Sequence, residues 1–184
     1  KIFIVTCPTL ELKSKLKNMN LFEESKLNFL PDAIIDMNIF RNQSKEKIYD
    51  FKRFENKKII FSAGRLTKQK NFSYLIDEFC AFSKTNKDFV LLILGDGEEK
   101  IKLEKKIKDK NLKEKVFLIW HVKNVYKFFK KGEIFILSSL WEEVGFVMIE
   151  AALSNLFIIS SNCPNGPSEF LENGQNGILF QNNK

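Results

Sequence analysis

From Lys57 to the end of the chain, short apolar runs alternate with amphipathic charged stretches, and no other feature limits the fold so tightly. Residues 59–62, Phe89–Leu94, Val116–Ile119, Ile134–Leu137 and 156–160 read as strands. Each is apolar at successive positions, so both of its faces must be covered, which is what a parallel strand beneath helices on each side requires. The pattern predicts an α/β fold with a doubly wound, Rossmann-like parallel sheet. The helical stretches carry matching stripes, Phe72, Leu75, Ile76 and Phe79 in one and Ile101, Leu103 and Ile107 in another, set among lysines and acids.

Residues 1–56 are organised differently. Residues 1–5 read as a strand, Thr6-Cys7-Pro8-Thr9 as a turn, 10–17 as a short helix and 27–30 as a second strand. Pro31-Asp32 marks a turn, and the polar stretch 41–47 has the composition of a linker. One strand-helix-strand unit thus precedes the main domain, as if it belonged to a neighbouring lobe. The chain opens on Lys1 with strand rather than a signal peptide, and we expect it to be a piece of a longer protein. No apolar run approaches the ~20 residues needed to cross a bilayer.

The charge is less specific. Of 30 basic residues 27 are lysine, and they are scattered among 23 acids, which reads first as a solvated surface. The net charge of +7 favours anionic company: a nucleotide, a lipid phosphate or an acidic membrane face. A basic strip interleaved with aromatics is missing, so a nucleic-acid partner is not expected. Three cysteines without a CxxC pair suit a reducing compartment, and one histidine, His121, leaves little material for a zinc site or a Ser-His-Asp triad.

In an open parallel sheet, ligands gather beyond the carboxyl ends of the strands, so the loops there carry the chemistry. The first loop, Gly64-Arg65-Leu66-Thr67-Lys68-Gln69-Lys70-Asn71, supplies a glycine for close backbone approach and cations suited to a diphosphate; a capped helix with surface lysines would read similarly. The second, Gly95-Asp96-Gly97, lacks the third glycine of a dinucleotide fingerprint, which disfavours a nicotinamide site and leaves a tight turn as the plain reading. The fourth loop runs from Ser138 to Ala152. It sets Glu142 and Glu150 with seven residues between them, Gly145-Phe146 among these, and a helix starting near Val147. Free amides and the positive end of a helix would face an anion, while Glu150, expected on the first turn, could accept hydrogen bonds from a ribose or sugar diol. A glutamate stabilising its own helix is the alternative.

Taken in order, Gly64-Arg65 with Lys70-Asn71, Gly95-Asp96-Gly97, the Glu-x7-Glu segment, Cys163-Pro164-Asn165-Gly166-Pro167-Ser168-Glu169, Asn173-Gly174 and Asn176-Gly177 resemble the donor-binding lobe of family-4 retaining glycosyltransferases with the GT-B fold. The resemblance runs from about Lys57 to the end, making 57–184 one truncated nucleotide-sugar-binding lobe of a GT-B fold and 1–56 the end of the acceptor lobe with the interlobe linker. It implies that Arg65 and Lys70 hold the donor pyrophosphate, Glu142 the transferred sugar and Glu150 the ribose. Gly145, Phe146 and Val147 would offer amides, Gly95 would border the nucleotide, and Ile119-Trp120-His121-Val122 would lie beside the base, with His121 either stacked on it or simply at the surface. Trp120 stands where the family has glycine, and Ser154-Asn155-Leu156-Phe157 lacks the usual glycine and proline.

The expected activity is transfer of a hexose from a nucleotide-sugar, a UDP-sugar first and a GDP-sugar second, to a glycan or lipid-linked acceptor in polysaccharide biosynthesis. No metal or other cofactor is expected. The enzyme would be cytoplasmic, with peripheral contact at an anionic membrane face as a further expectation, and this chain alone would be inactive. Two rivals are a non-hydrolysing nucleotide-sugar epimerase of the same fold, revealed by donor turnover without acceptor, and a nucleotide-binding module without catalysis.

Overall fold

The computed structural model of the chain describes residues 3–32, 35–48, 51–120 and 122–181. Within them the elements run β1 (Val5–Cys7), α1 (Leu10–Asn18), β2 (Leu27–Phe29), α2 (Met37–Gln43), β3 (Lys58–Ala63), α3 (Phe72–Phe82), β4 (Phe89–Leu94), α4 (Lys100–Asp109), β5 (Val116–Ile119), α5 (Tyr126–Phe129), β6 (Ile134–Leu137), α6 (Phe146–Leu153), β7 (Phe157–Ser161), α7 (Pro167–Phe170) and β8 (Ile178–Phe180). Six strands form one parallel sheet in the order β5-β4-β3-β6-β7-β8, the doubly wound Rossmann-like arrangement. The chain works outward from β3 to β5, then returns to lay β6 against the other side of β3. The loops after β3 and β6 therefore leave neighbouring strands in opposite directions and open a crevice between them.

Strand alternation sorts the core into two layers. Ile59, Phe61 and Ala63 join a cluster with Phe128, Phe129, Met148 and Ala151 from α5 and α6. Ile60 packs on the other side with Leu91 and Ile93 against Phe72, Leu75, Ile76 and Phe79 of α3 and Leu103 and Ile107 of α4. Each such side chain contributes roughly 1.5–3 kcal/mol when taken fully out of water. Ile101 does not join its expected stripe and is 80% exposed. Two positions along a helix turn about 200°, so Ile101 cannot share a face with Leu103, whereas Leu103 and Ile107 can.

Three further boundaries differ from the sequence reading. The first strand covers Val5–Cys7 and so runs into the expected turn, with Lys1 and Ile2 outside the described residues. Part of the expected linker is helical, because Asp36 caps α2 by accepting from the amides of Asn38 and Ile39, and Phe40 packs edge-on against Tyr126. At the end of α6, Asn155 adopts a left-handed conformation with φ of 62°, doing the work of the glycine that the segment lacks. β1 and β2 form a small parallel sheet of their own.

Candidate active site

Main-chain bonds stitch together the loops at the carboxyl edge of the sheet. Gly64 N–H donates to Leu94 O at 3.0 Å, Leu66 N–H to Asp96 O at 2.9 Å and Gly95 N–H to Ile119 O at 2.9 Å. The backbones cross so closely that a Cβ on Gly95 would lie 1.9 Å from Gly64 O, and one on Gly97 2.6 Å from Leu66 O. The Gly-x-Gly pair is thus required by the crossing of two chain segments, whatever else it borders.

Lys70 ends a short turn after β3, and its aliphatic stem passes over Gly64, where a Cβ would come within 3.0 Å of Lys70 Cε. Its Nζ donates to Glu142 Oε1 at 2.6 Å, and the Ser139 hydroxyl donates to the same oxygen. Both partners are largely out of water, the side chains of Lys70 and Glu142 being 15% and 6% exposed. The two loops are bound further by Ser138 Oγ to Lys70 O at 2.7 Å, Leu140 N–H to Gln69 O at 2.8 Å and Gln69 Nε2 to Trp141 O at 2.8 Å. A third loop holds the Glu142 backbone: its N–H donates to Pro164 O at 2.6 Å, and its carbonyl accepts from Asn165 N–H at 3.0 Å.

Gly145, at φ 80°, turns the chain into α6, whose N-terminus carries no side-chain cap and begins with the amides of Phe146 and Val147. Glu150 lies one turn further than expected, on the second turn of α6, because the helix starts at Phe146. The Tyr126 hydroxyl donates to its Oε1 at 3.3 Å. Burial pushes the Glu150 carboxyl above its ordinary range, and the Tyr126 hydrogen bond offsets part of that rise. Tyr126 is itself pushed up to about 12 by burial and by the neighbouring carboxylate.

The candidate residues therefore come together unevenly. Lys70 and Glu142 are in contact; Gly145, Phe146 and Val147 form the α6 terminus beside them; Arg65 is exposed in the same loop as Lys70. Gly95 sits at the backbone crossing, and His121 lies outside the described residues. Trp120 is half-exposed with the Lys100 ammonium 3.1 Å from its ring centroid, a cation–π contact. The sequence assigns no individual role to Ser139, Tyr126 or the Pro164-Asn165 pair, although the last lies in a segment that carries the family resemblance. A hydroxyl directly after β6 was the only available signal for Ser139, and Tyr126 reaches Glu150 solely through the packing of α5 on α6. Among the described residues no group of three or more His, Cys, Asp or Glu side chains could hold a metal ion. The arrangement offers a paired ammonium and carboxylate, an uncapped helix terminus for an anion, and a second carboxylate for hydroxyls.

Residues 43–184 match the sequence profile of the family described as glycosyl transferases group 1. The chain belongs to that family. Among curated members, an uncharacterized glycosyltransferase of Methanocaldococcus jannaschii is 38% identical over 161 residues, covering 87% of this chain and 37% of its own length. The poly(ribitol-phosphate) α-N-acetylglucosaminyltransferase of Staphylococcus aureus is 31% identical over 163 residues, covering 88% and 33%. This group 1 glycosyltransferase chain thus spans about a third of the length of these relatives. Its backbone superposes on HepE of Anabaena, solved with UDP, with a TM-score of 0.84 at 17% identity, over 99% of this chain and 50% of that one. A variant of S. aureus TarM in complex with UDP gives 0.82 at 24% identity, over 98% and 34%. At these identities the superpositions establish the GT-B glycosyltransferase fold.

Proposed function

We propose that residues 57–184 are the donor lobe of a family-4 retaining glycosyltransferase that moves a hexose from a UDP-sugar, or secondarily a GDP-sugar, to a glycan or lipid-linked acceptor. Residues 1–56 are then the end of the acceptor lobe and the linker, a reading supported by the separate β1–β2 sheet. The observation that carries the proposal is the Lys70–Glu142 pair beside the uncapped α6 terminus, at the carboxyl edge where β3 and β6 part.

Each residue then has one task. Arg65 and Lys70 bind the diphosphate and stabilise the charge that develops as it leaves the anomeric carbon, joined by the amides of Gly145, Phe146 and Val147. Glu142 faces the sugar, Glu150 accepts from the ribose hydroxyls, and Gly95 and His121 border the nucleotide. No metal is needed, because two cations and a helix terminus balance the diphosphate. Placement is cytoplasmic, with peripheral contact at an anionic membrane; among the described residues no helix is long and apolar enough to cross one. The relatives named for lipid-linked chemistry, such as a Campylobacter jejuni diphospho-undecaprenol N-acetylgalactosaminyltransferase at 35% identity, support the acceptor class.

A thermal-shift panel of UDP-, GDP-, ADP- and CMP-sugars, with and without EDTA, tests the reading, since a specific ligand stabilises by RT ln(1 + [L]/Kd). Stabilisation by UDP-sugars, or else by GDP-sugars, unchanged by EDTA is expected. No response to any nucleotide-sugar, or a strict manganese or magnesium requirement, would count against it.

A further inference from the structure

The segment 163–169, conspicuous in the sequence, has no task in the scheme above, yet among the described residues it makes the side-chain hydrogen bonds that span the longest stretch of chain. Glu169, on α7, accepts the Leu10 N–H on both carboxylate oxygens at 3.1 and 2.8 Å and the Glu11 N–H at 3.3 Å. Thr9 serves the rest of that first turn, its Oγ1 accepting from Leu12 N–H at 3.1 Å and its carbonyl from Lys13 N–H at 3.2 Å. The amides of Leu10, Glu11 and Leu12, which have no intrahelical acceptor, are thus occupied, and residues 10 and 11 depend on a carboxylate about 160 positions away. A second bridge runs parallel, Lys15 Nζ to Asn165 Oδ1 at 2.7 Å.

The other side of the same segment is fixed to the candidate active site. Asn165 N–H holds Glu142 O, and a Cβ on Gly166 would lie 2.6 Å from Val144 O, so main chain rests directly on main chain there. A hollow of about 470 Å³, lined in part by Glu11, Asn162, Cys163, Pro164, Ser168 and Glu169, separates α1 from this loop. The bonds from Leu10 are solvent-exposed, so water can replace them when α1 moves away.

We infer that Glu169 is a positioning residue: it clasps α1, at the end of the acceptor lobe, onto the loop that holds Glu142, and so couples closure of the two lobes to the sugar site. The inference rests on the donor-lobe reading. Closure of this kind positions the acceptor and keeps water from the reacting centre.

Hydrogen exchange followed by mass spectrometry on this chain tests it, with UDP as the probe. UDP should slow exchange of the 9–18 amides in the wild type. Glu169→Ala should speed their exchange at least fivefold and abolish the slowing by UDP, while UDP affinity stays within about twofold; Glu169→Gln, keeping an acceptor oxygen without the charge, should lie between. In the full-length enzyme Glu169→Ala should lower transfer about tenfold and raise the share of donor lost to hydrolysis, with donor KM unchanged, a split that a mere helix cap would not produce. UDP binding with identical α1 exchange in wild type and Glu169→Ala would overturn the clasp alone. Absence of binding of both UDP and GDP by the wild type would overturn the donor reading and the clasp's role with it.

Discussion

The Lys70 ammonium and the Glu142 carboxylate meet at 2.6 Å across a separation of 72 residues, because their loops leave the adjacent strands β3 and β6. On the proposed reading a bound diphosphate would have to share Lys70 with Glu142, while Arg65, exposed in the same loop, would need no such exchange.

Arg65→Ala and Lys70→Ala should each weaken UDP binding about ten- to hundred-fold while leaving uridine binding nearly unchanged, since on the proposed reading each would remove a charge-assisted bond to phosphate. Stability should separate them. Loss of Lys70 strands a buried carboxylate, at a cost of about 3–5 kcal/mol, and Glu142→Gln added to it should recover part of that. Urea denaturation and calorimetric titration check both halves; equal loss for uridine and UDP would remove Arg65 and Lys70 from the phosphate.

Gly95→Ala should cost about 1–3 kcal/mol or more, because its methyl would sit 1.9 Å from the backbone oxygen of Gly64, directly after β3. A urea midpoint close to the wild type's would show that the crossing can relax.

Glu150 gives a pH signature. Its native carboxyl is held above the ordinary glutamate range, chiefly by burial, so the folded chain keeps a proton that the unfolded chain has lost. The resulting contribution to stability is full below the unfolded pKa and disappears as pH rises through the native one. Glu150→Gln should thus gain on the wild type as pH rises above the ordinary glutamate value of about 4.3. A stability difference independent of pH in urea melts would contradict this. In binding, Glu150→Ala should lose affinity for UDP but little for its 2′,3′-dideoxy analogue.

Purified alone, the chain should bind UDP weakly and transfer no sugar, because acceptor positioning and water exclusion require both lobes. Incubation with donor and candidate acceptors, followed by mass spectrometry, decides the matter; transfer at the rate of a full-length enzyme would mean that the catalytic site is misplaced.

Much of this architecture is readable from local patterns. Runs such as Phe89–Leu94, apolar on both faces, declare a covered parallel strand, and the glycines and charges after each run mark the loops that line one edge. What periodicity cannot carry is partnership between distant segments. Nothing local says that Lys70 will spend its charge on Glu142, that Tyr126 will reach Glu150, or that Glu169 will cap a helix at the other end of the chain. Boundaries failed where a single residue outweighed composition, as Asp36 did by starting a helix inside a polar stretch.

The seam between β3 and β6 also dictates when the site comes into being. Ser62 reaches Ile136 across 74 residues, whereas β3, β4 and β5 can pair from segments closer in sequence. Closing so long a loop is entropically the more demanding step, so the proposed nucleotide site should be completed late in folding. UDP then finds nothing to hold in earlier species: it should leave the refolding rate unchanged and slow only unfolding, a division that stopped-flow kinetics with and without UDP can read directly.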